Sequence, residues 1–422
     1  MVTQLRSLIL GSLFVGCLAA NVAAQTPLTW PEVRARFEAN NPNVRAGQIG
    51  IDESRADEMT AFLRPNPDLS VAGVQFNIAG LPADTGHIQN LTTSASLGYL
   101  IERAHKRELR RDSAQGATAI ATSSQADLIR TLTFSVRGAF VQILQAKSFL
   151  TLAQAELTDY DQVLTVSRDR RQAGDIAQID LDRLELQRVQ YESDVQTATV
   201  NLRTAKIQLL ALLNEPTPVD QFDVTGPYDF SAPPQTLDAL RQVALQTRPD
   251  LKAALQAVDK AKTDARLAIA NGSTDPSIGA TIGWPQGDNS SQTFVAFGVD
   301  IPLRIFDRNQ GEKLKTQLDI TRNERLADAT RLQMFSDVDS AYATVMSTVA
   351  LLQPYQATYL AQSIRVRDTM QFSYQRGGAS LIDFLQAQQD YRSVQIGYVN
   401  LIAAFLNAVN QLNAAVGQEV IQ

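Results

Sequence analysis

The chain has 422 residues, 44% of them hydrophobic and 19% charged, with a formal net charge of −6 at pH 7. That length accommodates one elongated domain or two to three ordinary ones. With no basic surplus to displace counterions from phosphate, the composition gives no support for nucleic-acid binding, and acidic partners are not expected.

In chain order, the first segment reads as a secretory signal. Arg6 supplies the positive start, Leu8 to Ala20 the apolar run, and Val22-Ala23-Ala24 a small-residue cleavage site, so residues 1–24 are expected to be removed. The run falls short of the ~20 residues that a membrane-spanning anchor helix needs. The only cysteine, Cys17, lies inside this segment. Cleavage after Ala24 would remove it and leave no possible disulfide. Its setting after Phe14-Val15-Gly16 also loosely resembles a lipobox, in which case Cys17 is a lipidated first residue. Both readings of Cys17 stay open.

The rest of the chain is an internal duplication. Asn41-Pro42-Asn43-Val44-Arg45-Ala46 returns as Arg248-Pro249-Asp250-Leu251-Lys252-Ala253, and the segment from Gly174 to Leu181 returns from Gly377 to Phe384, pairing Asp180 with Asp383. The expected organisation is a first repeat over 25–213, a linker over 214–234 rich in Pro, Asp and Thr, and a second repeat over 235–422. Each repeat reads as a short helix, two strands and a long helical hairpin.

From Leu109 to Gln172 there is no proline, and a continuous helix there would run about 95 Å at 1.5 Å per residue. Val136, Ile143, Leu150, Leu157 and Leu164 recur every seven residues, with Ala139, Ala146, Ala153 and Tyr160 three places on, as a coiled-coil seam requires. Leu184, Tyr191, Ala198, Ala205 and Leu212 form the return seam. In the second repeat Val338, Val345, Leu352, Tyr359 and Val366 go out, and Phe384, Tyr391, Tyr398, Phe405 and Leu412 come back. An ordinary bundle core explains one such stripe equally well, but explains the sustained length less well.

The strands point to a membrane. Ile278, Ala280, Ile282 and Trp284 alternate with Ser277, Gly279, Thr281 and Gly283, giving one apolar face and one small polar face. Val295, Phe297, Val299 and Ile301 repeat the pattern, as do Ala95, Leu97, Tyr99 and Ile101, and the segment from Leu69 to Asn77 does so less clearly. Four strands cannot close a barrel, and open edges are not tolerated in hydrocarbon, where each unpaired backbone group costs several kcal/mol. Several chains must therefore pool their strands, with the loops Ile78 to Asn90 and Pro285 to Gln292 facing the exterior.

These features together resemble the TolC-like outer-membrane efflux factor family over nearly the whole mature chain. Ile301 to Gly311 (IPLRIFDRNQG), where the last strand meets its long helix, and Leu100 to Arg107 (LIERAHKR) resemble the junctions of the CzcC-like heavy-metal branch, which serves cobalt, zinc and cadmium efflux. The resemblance implies a mainly α fold with a small β part: duplicated coiled-coil hairpins, and four strands per chain given to a trimeric twelve-stranded outer-membrane β-barrel. It further implies a homotrimer in outer-membrane lipid with a long periplasmic extension, fed by an inner-membrane proton-driven pump through a periplasmic adaptor. The expected function is export of divalent metal cations. A drug-efflux or type I secretion duct shares the fold, and a secreted coiled-coil scaffold is the reading from outside transport.

Glycine falls where each hairpin must reverse. The resemblance makes these turns the adaptor-docking tips: Gly174 and Asp175 in one, Gly377, Gly378, Ala379 and Ser380 in the other. It likens Asp383 to a pore-lining aspartate at the periplasmic constriction, where copies around an axis would attract cations. The family's second acidic position is Gln386 here, which halves the expected charge. Tyr374 and Asp180 match positions whose hydrogen bond links neighbouring hairpins in closed ducts, while Ala379 stands where the family has an arginine, so the lock is weaker or built otherwise. Helix N-capping is the alternative role for Asp180 and Asp383.

The only histidines, His87 and His105, have no partner at metal-ligand spacing, so no bound metal or cofactor is expected. Catalysis is not expected either: the chain has no G-x-S-x-G, phosphate-cradling glycine loop or H-E-x-x-H.

Overall fold

The computed structural model describes residues 26–74, 91–230, 235–286 and 293–421. The signal segment with Cys17, the loop carrying His87 and most of the loop from Pro285 to Gln292 lie outside the described residues.

Each half opens with two helices where one was expected: α1 (Trp30–Asn40) and α2 (Pro42–Ala61), then α5 (Leu237–Thr247) and α6 (Pro249–Asn271). The repeated Asn41-Pro42 and Arg248-Pro249 pairs make the breaks. A residue before proline is pushed out of helical geometry, while proline itself suits the first helical position. Asn41 caps α2 by accepting from the Asn43 and Val44 amides at 2.9 and 3.3 Å. Arg248 is buried and held by Asp250 at 2.6 Å and Asp337 at 3.0 Å, which ties the start of α6 to the long helix below it.

The four strands β1 (Asp68–Val74), β2 (Leu91–Leu100), β3 (Ser277–Gln286) and β4 (Phe294–Asp300) form one antiparallel sheet in that order. Its register places Leu69 opposite Leu97, Leu97 opposite Ala280, and Ala280 opposite Phe297. The odd-numbered residues of β1, β2 and β4 thus share one face with the even-numbered residues of β3. That face is apolar and uncovered, with Leu69, Val71, Phe297 and Val299 all strongly exposed. The other face carries Ser70, Ser94, Ser96, Thr281 and Gly298, and Ser96 and Thr281 share a 2.8 Å hydrogen bond across it. Among the described residues, strands β1 and β4 are left as open edges.

Below the sheet, α3 (Lys106–Ala173) runs 68 residues, about 100 Å at the α-helical rise, and returns as α4 (Gln178–Leu213). In the second half α7 (Gln310–Pro354) and α8 (Leu360–Gln375) go out and α9 (Leu381–Val416) returns. The seams pack as their period demands: Val136, Ile143, Leu164, Leu184, Ala205, Val338, Val345, Leu352, Phe384, Phe405 and Leu412 are all buried.

One seam departs from expectation. Pro354 cannot donate its backbone amide, and residues 355–359 take π-helical geometry, which inserts one extra residue into the turn. The seam slips by that residue. Tyr359 and Val366, expected inside, are 47% and 42% exposed, while Leu360, Arg367 and Tyr374 carry the inward face onward.

Among the described residues α9 is the one helix long and apolar enough to cross a membrane by composition. It is the central helix of the second half and packs on α3, α7 and α8. Helix α3 packs in turn on α4 and α9, so the bundle runs α4, α3, α9, then α7 and α8. Its two outer flanks carry apolar stripes. On α4, Ile179, Leu186, Val200 and Ile207 fall on one heptad line and are all exposed, and Leu332, Met346, Leu351 and Phe372 are exposed on α7 and α8.

Candidate functional site

The two hairpin reversals lie side by side at the end of the bundle farthest from the sheet. Gly174 closes α3 with φ of 86°, where its amide and that of Asp175 fold back onto the carbonyls of Arg171 and Arg170. Gly377 has φ of 75°, and the Gly378 amide returns to the Ser373 carbonyl at 2.8 Å. Both glycines sit in the left-handed region that side chains with a Cβ avoid. Asp175 and Ala379 complete the exposed or half-exposed turns.

Between the reversals, Tyr374 is buried at 5% exposure, stacked on Phe384 with ring centroids 5.0 Å apart. The Tyr374–Asp180 hydrogen bond that the resemblance implies is not formed: the Tyr374 hydroxyl is buried and has no hydrogen-bond partner among the described residues. Arg170 of α3 does the linking instead. Its Nη1 donates to the Tyr374 carbonyl at 2.7 Å, and its guanidinium lies 5.3 Å over the Tyr374 ring. Arg170 therefore joins the two hairpins beside Ala379, the position that the resemblance likens to an arginine. Asp180 sits in the first turn of α4, half-exposed, with the backbone dipole favouring its charge.

Asp383 occupies the third position of α9 and closes a capping box with Ser380, whose hydroxyl lies 2.8 Å from the carboxylate. Capping leaves the Asp383 carboxylate exposed. The Gln386 amide donates to Asp390 at 2.8 Å. Asp390 is exposed and stands seven residues after Asp383, two turns along the same face. An acidic side chain thus stands one turn beyond Gln386.

Higher up, two more arginines bridge the hairpins. Arg367 of α8 lies 4.2 Å over the Tyr391 ring and 3.7 Å from Asp159 of α3. Arg392 of α9 pairs with Asp194 of α4 and stands 3.5 Å from Glu156 of α3. Burial pushes the Glu156 carboxyl up to about 7, with Arg392 opposing the rise and Asp194 and Asp159 adding to it. One Glu156 oxygen, Oε1, has no hydrogen-bond partner among the described residues.

Sequence reasoning missed Arg170, Arg392 and Asp390. Only Asp390 left a readable signal, its seven-residue spacing from Asp383; the arginines act across about 200 positions of chain. His105 lies at the barrel end of α3, in left-handed geometry at the helix start and 3.9 Å from Glu108. Among the described residues, no group of three or more histidine, cysteine or acidic side chains is placed to hold a metal ion.

Known proteins share this architecture. The family model described as outer membrane efflux protein matches residues 34–215 and again 240–418. The cobalt-zinc-cadmium resistance protein CzcC of Cupriavidus metallidurans is 24% identical over 401 residues, covering 94% of this chain and 91% of that protein. Nodulation protein T of Rhizobium leguminosarum bv. trifolii is 23% identical over 400 residues, covering 90% and 83%. Among solved structures, CusC superposes with a TM-score of 0.75 at 19% identity, covering 92% of each chain.

Proposed function

We propose that this chain, which belongs to the outer membrane efflux protein family, is one third of a homotrimeric duct that releases divalent metal cations to the exterior. The protein is an outer-membrane efflux channel with a periplasmic helical extension. The trimer, the cargo and the roles of individual residues are the proposal.

The observation that carries the trimer is the protomer's double incompleteness. Its sheet ends in open edges at β1 and β4, and its helical layer ends in apolar flanks on α4 and on α7 and α8. Joining β4 to the β1 of another copy continues the antiparallel order. The same rotation brings an α4 stripe against an α7–α8 stripe. Three copies give the twelve strands of a closed barrel, and closure is what hydrocarbon demands.

The duct does no chemistry of its own. Cargo enters at the hairpin tips, where Gly174, Asp175, Gly377, Gly378, Ala379 and Ser380 meet a periplasmic adaptor that couples the channel to an inner-membrane pump. Arg170 holds the second hairpin's turn inward, and three such clasps keep the entrance narrow. Past it, copies of Asp383 and Asp390 line the constriction and favour cations. Asp180 faces the same entrance.

The similarity to the cobalt-zinc-cadmium resistance protein favours metal cargo. Deleting the gene should lower tolerance to zinc, cobalt and cadmium. Unchanged metal tolerance together with raised drug sensitivity would move the chain to drug export, and a detergent-independent soluble protein giving no bilayer current would refute the duct itself.

A further inference from the structure

Where β4 runs out beneath the sheet, the chain uncovers Leu303, Ile305 and Phe306, at 78%, 62% and 90% exposure. Ile101, beyond the end of β2, is exposed as well. Ile101 and Leu303 prolong the odd-numbered stripes of Leu97 and Tyr99 and of Phe297 and Val299, the apolar face of the sheet. In a membrane-inserted barrel this level is the periplasmic boundary of the hydrocarbon, where phospholipid headgroups begin.

Three exposed arginines share that level: Arg64 before β1, Arg103 after β2 and Arg308 after β4. None makes an ion pair among the described residues, nor does Arg304 between Leu303 and Ile305, although other basic groups around them do. Lys106 is held by Asp275 at 2.5 Å, Arg110 by Glu102, and Arg107 lies 3.5 Å from Glu108. A cleft of about 400 Å³ opens beside Arg64, lined by Pro65, Tyr99 and His105.

The register says what happens when copies join. Asp300 pairs with Ser277 and Ser277 with Leu100, while Asp68 pairs with Gly98, so the end of β4 and the start of β1 lie at nearly one height. Arg308 lies eight residues past Asp300 and Arg64 four before Asp68, so joining β4 to the next copy's β1 brings the segments that carry them side by side. The carboxylates Asp68, Asp300 and Asp307 lie at this level, none of them paired with either arginine among the described residues, and two guanidiniums brought together there repel each other. An anionic group between them converts repulsion into two charge-assisted hydrogen bonds.

We propose that each seam binds an anionic phospholipid, its phosphate held by Arg64 of one copy and Arg308 of the next, with Arg103 flanking. The acyl chains lie over Leu303 and Phe306. Phosphate chemistry recognises the guanidiniums, and the adjoining apolar residues select a lipid over a soluble phosphate. The seam rests on the trimeric reading above; the preference for an anionic headgroup rests on the unpaired arginines.

The test is native mass spectrometry of the detergent-purified protein given equal phosphatidylglycerol and phosphatidylcholine. Retention of phosphatidylglycerol severalfold above phosphatidylcholine, up to three per trimer, is expected. The double variant Arg64→Gln, Arg308→Gln should bring the two lipids to parity, while Arg168→Gln, an arginine of α3 near the opposite end of the bundle, should keep the preference. Equal retention in the unaltered protein, or an unchanged preference in the double variant, overturns the proposal. Displacement of the lipid by millimolar inorganic phosphate would make the site one for a soluble anion. Dissociation of the trimer by Phe306→Ser, with lipid retention unaffected by the arginine changes, would make the segment a protein-only seam. The same spectra report the trimer mass, so a monomer that still prefers phosphatidylglycerol would refute the trimer and the seam but keep the arginine site.

Discussion

Replacing Arg170 by alanine should loosen the periplasmic entrance. The substitution removes one charge-assisted hydrogen bond of 2.7 Å to the Tyr374 carbonyl and one cation–π contact of 5.3 Å with its ring. A hydrogen bond to a charged group contributes about 1.5 kcal/mol at the low end suited to a half-exposed site, and an exposed cation–π contact adds about 0.5 kcal/mol. The sum of about 2 kcal/mol is a factor of about 30 in the equilibrium between a docked and a released second hairpin. Single-channel recording in planar bilayers reads this directly, as longer openings and larger mean conductance. Arg170→Lys retains the charge but loses the planar fork that both donates and stacks, so it should fall between the two. If Arg170→Ala conducts as the unaltered channel does, the clasp is an ornament of the turn and the entrance is held elsewhere.

Three further outcomes test other parts of the molecule. Leu186→Glu places a charge on the exposed α4 stripe, where Leu186 is 73% exposed, so the protomer should keep its helical circular dichroism while its mass by light scattering falls from trimer to monomer. Asp383→Asn with Asp390→Asn should reduce the cation-to-anion permeability ratio, measured as reversal potential in a salt gradient, with Asp383→Asn alone giving a partial effect. Glu156 sits with a carboxyl raised by burial to about 7, above its unfolded value of 4.5. The folded chain therefore holds more protons than the unfolded one between those values, and this group's contribution is fully present below about pH 4.5 and lost as pH rises through about 7. Glu156→Gln should raise the melting temperature at pH 8 relative to the unaltered protein, and that advantage should shrink towards pH 5; equal melting curves at pH 8 would contradict the burial argument.

Much of the fold was legible because it is written in local periods. Residues seven apart from Val136 to Leu164 and from Phe384 to Leu412 marked the hairpins, and alternation from Ile278 to Trp284 marked a strand with two unlike faces. The dipeptides Asn41-Pro42 and Arg248-Pro249 are legible as a repeat, whereas the split of one expected helix into two follows from the restriction that proline places on the residue before it. The period failed at Pro354: a count of seven carried through residues 355–359 put Tyr359 and Val366 inside, since no period announces a one-residue insertion. The tip was legible only as turns. Tyr374 was matched to Asp180 by resemblance, whereas its actual partner, Arg170, lies on the far side of a hairpin pairing that no local pattern encodes. Asp390 is legible only through its seven-residue spacing from Asp383.

The two unfinished flanks of the protomer have a genetic consequence. A head-to-tail joint uses different surfaces on its two sides, so each copy offers one and accepts the other. A chain carrying Leu186→Glu spoils its α4 flank but keeps its α7–α8 flank intact. In a cell that also makes unaltered protein, such a chain would still be taken up by a good partner and would then stop the ring from closing. The lesion should therefore act as a dominant poison, whereas loss of the whole gene should behave as a simple recessive deficiency.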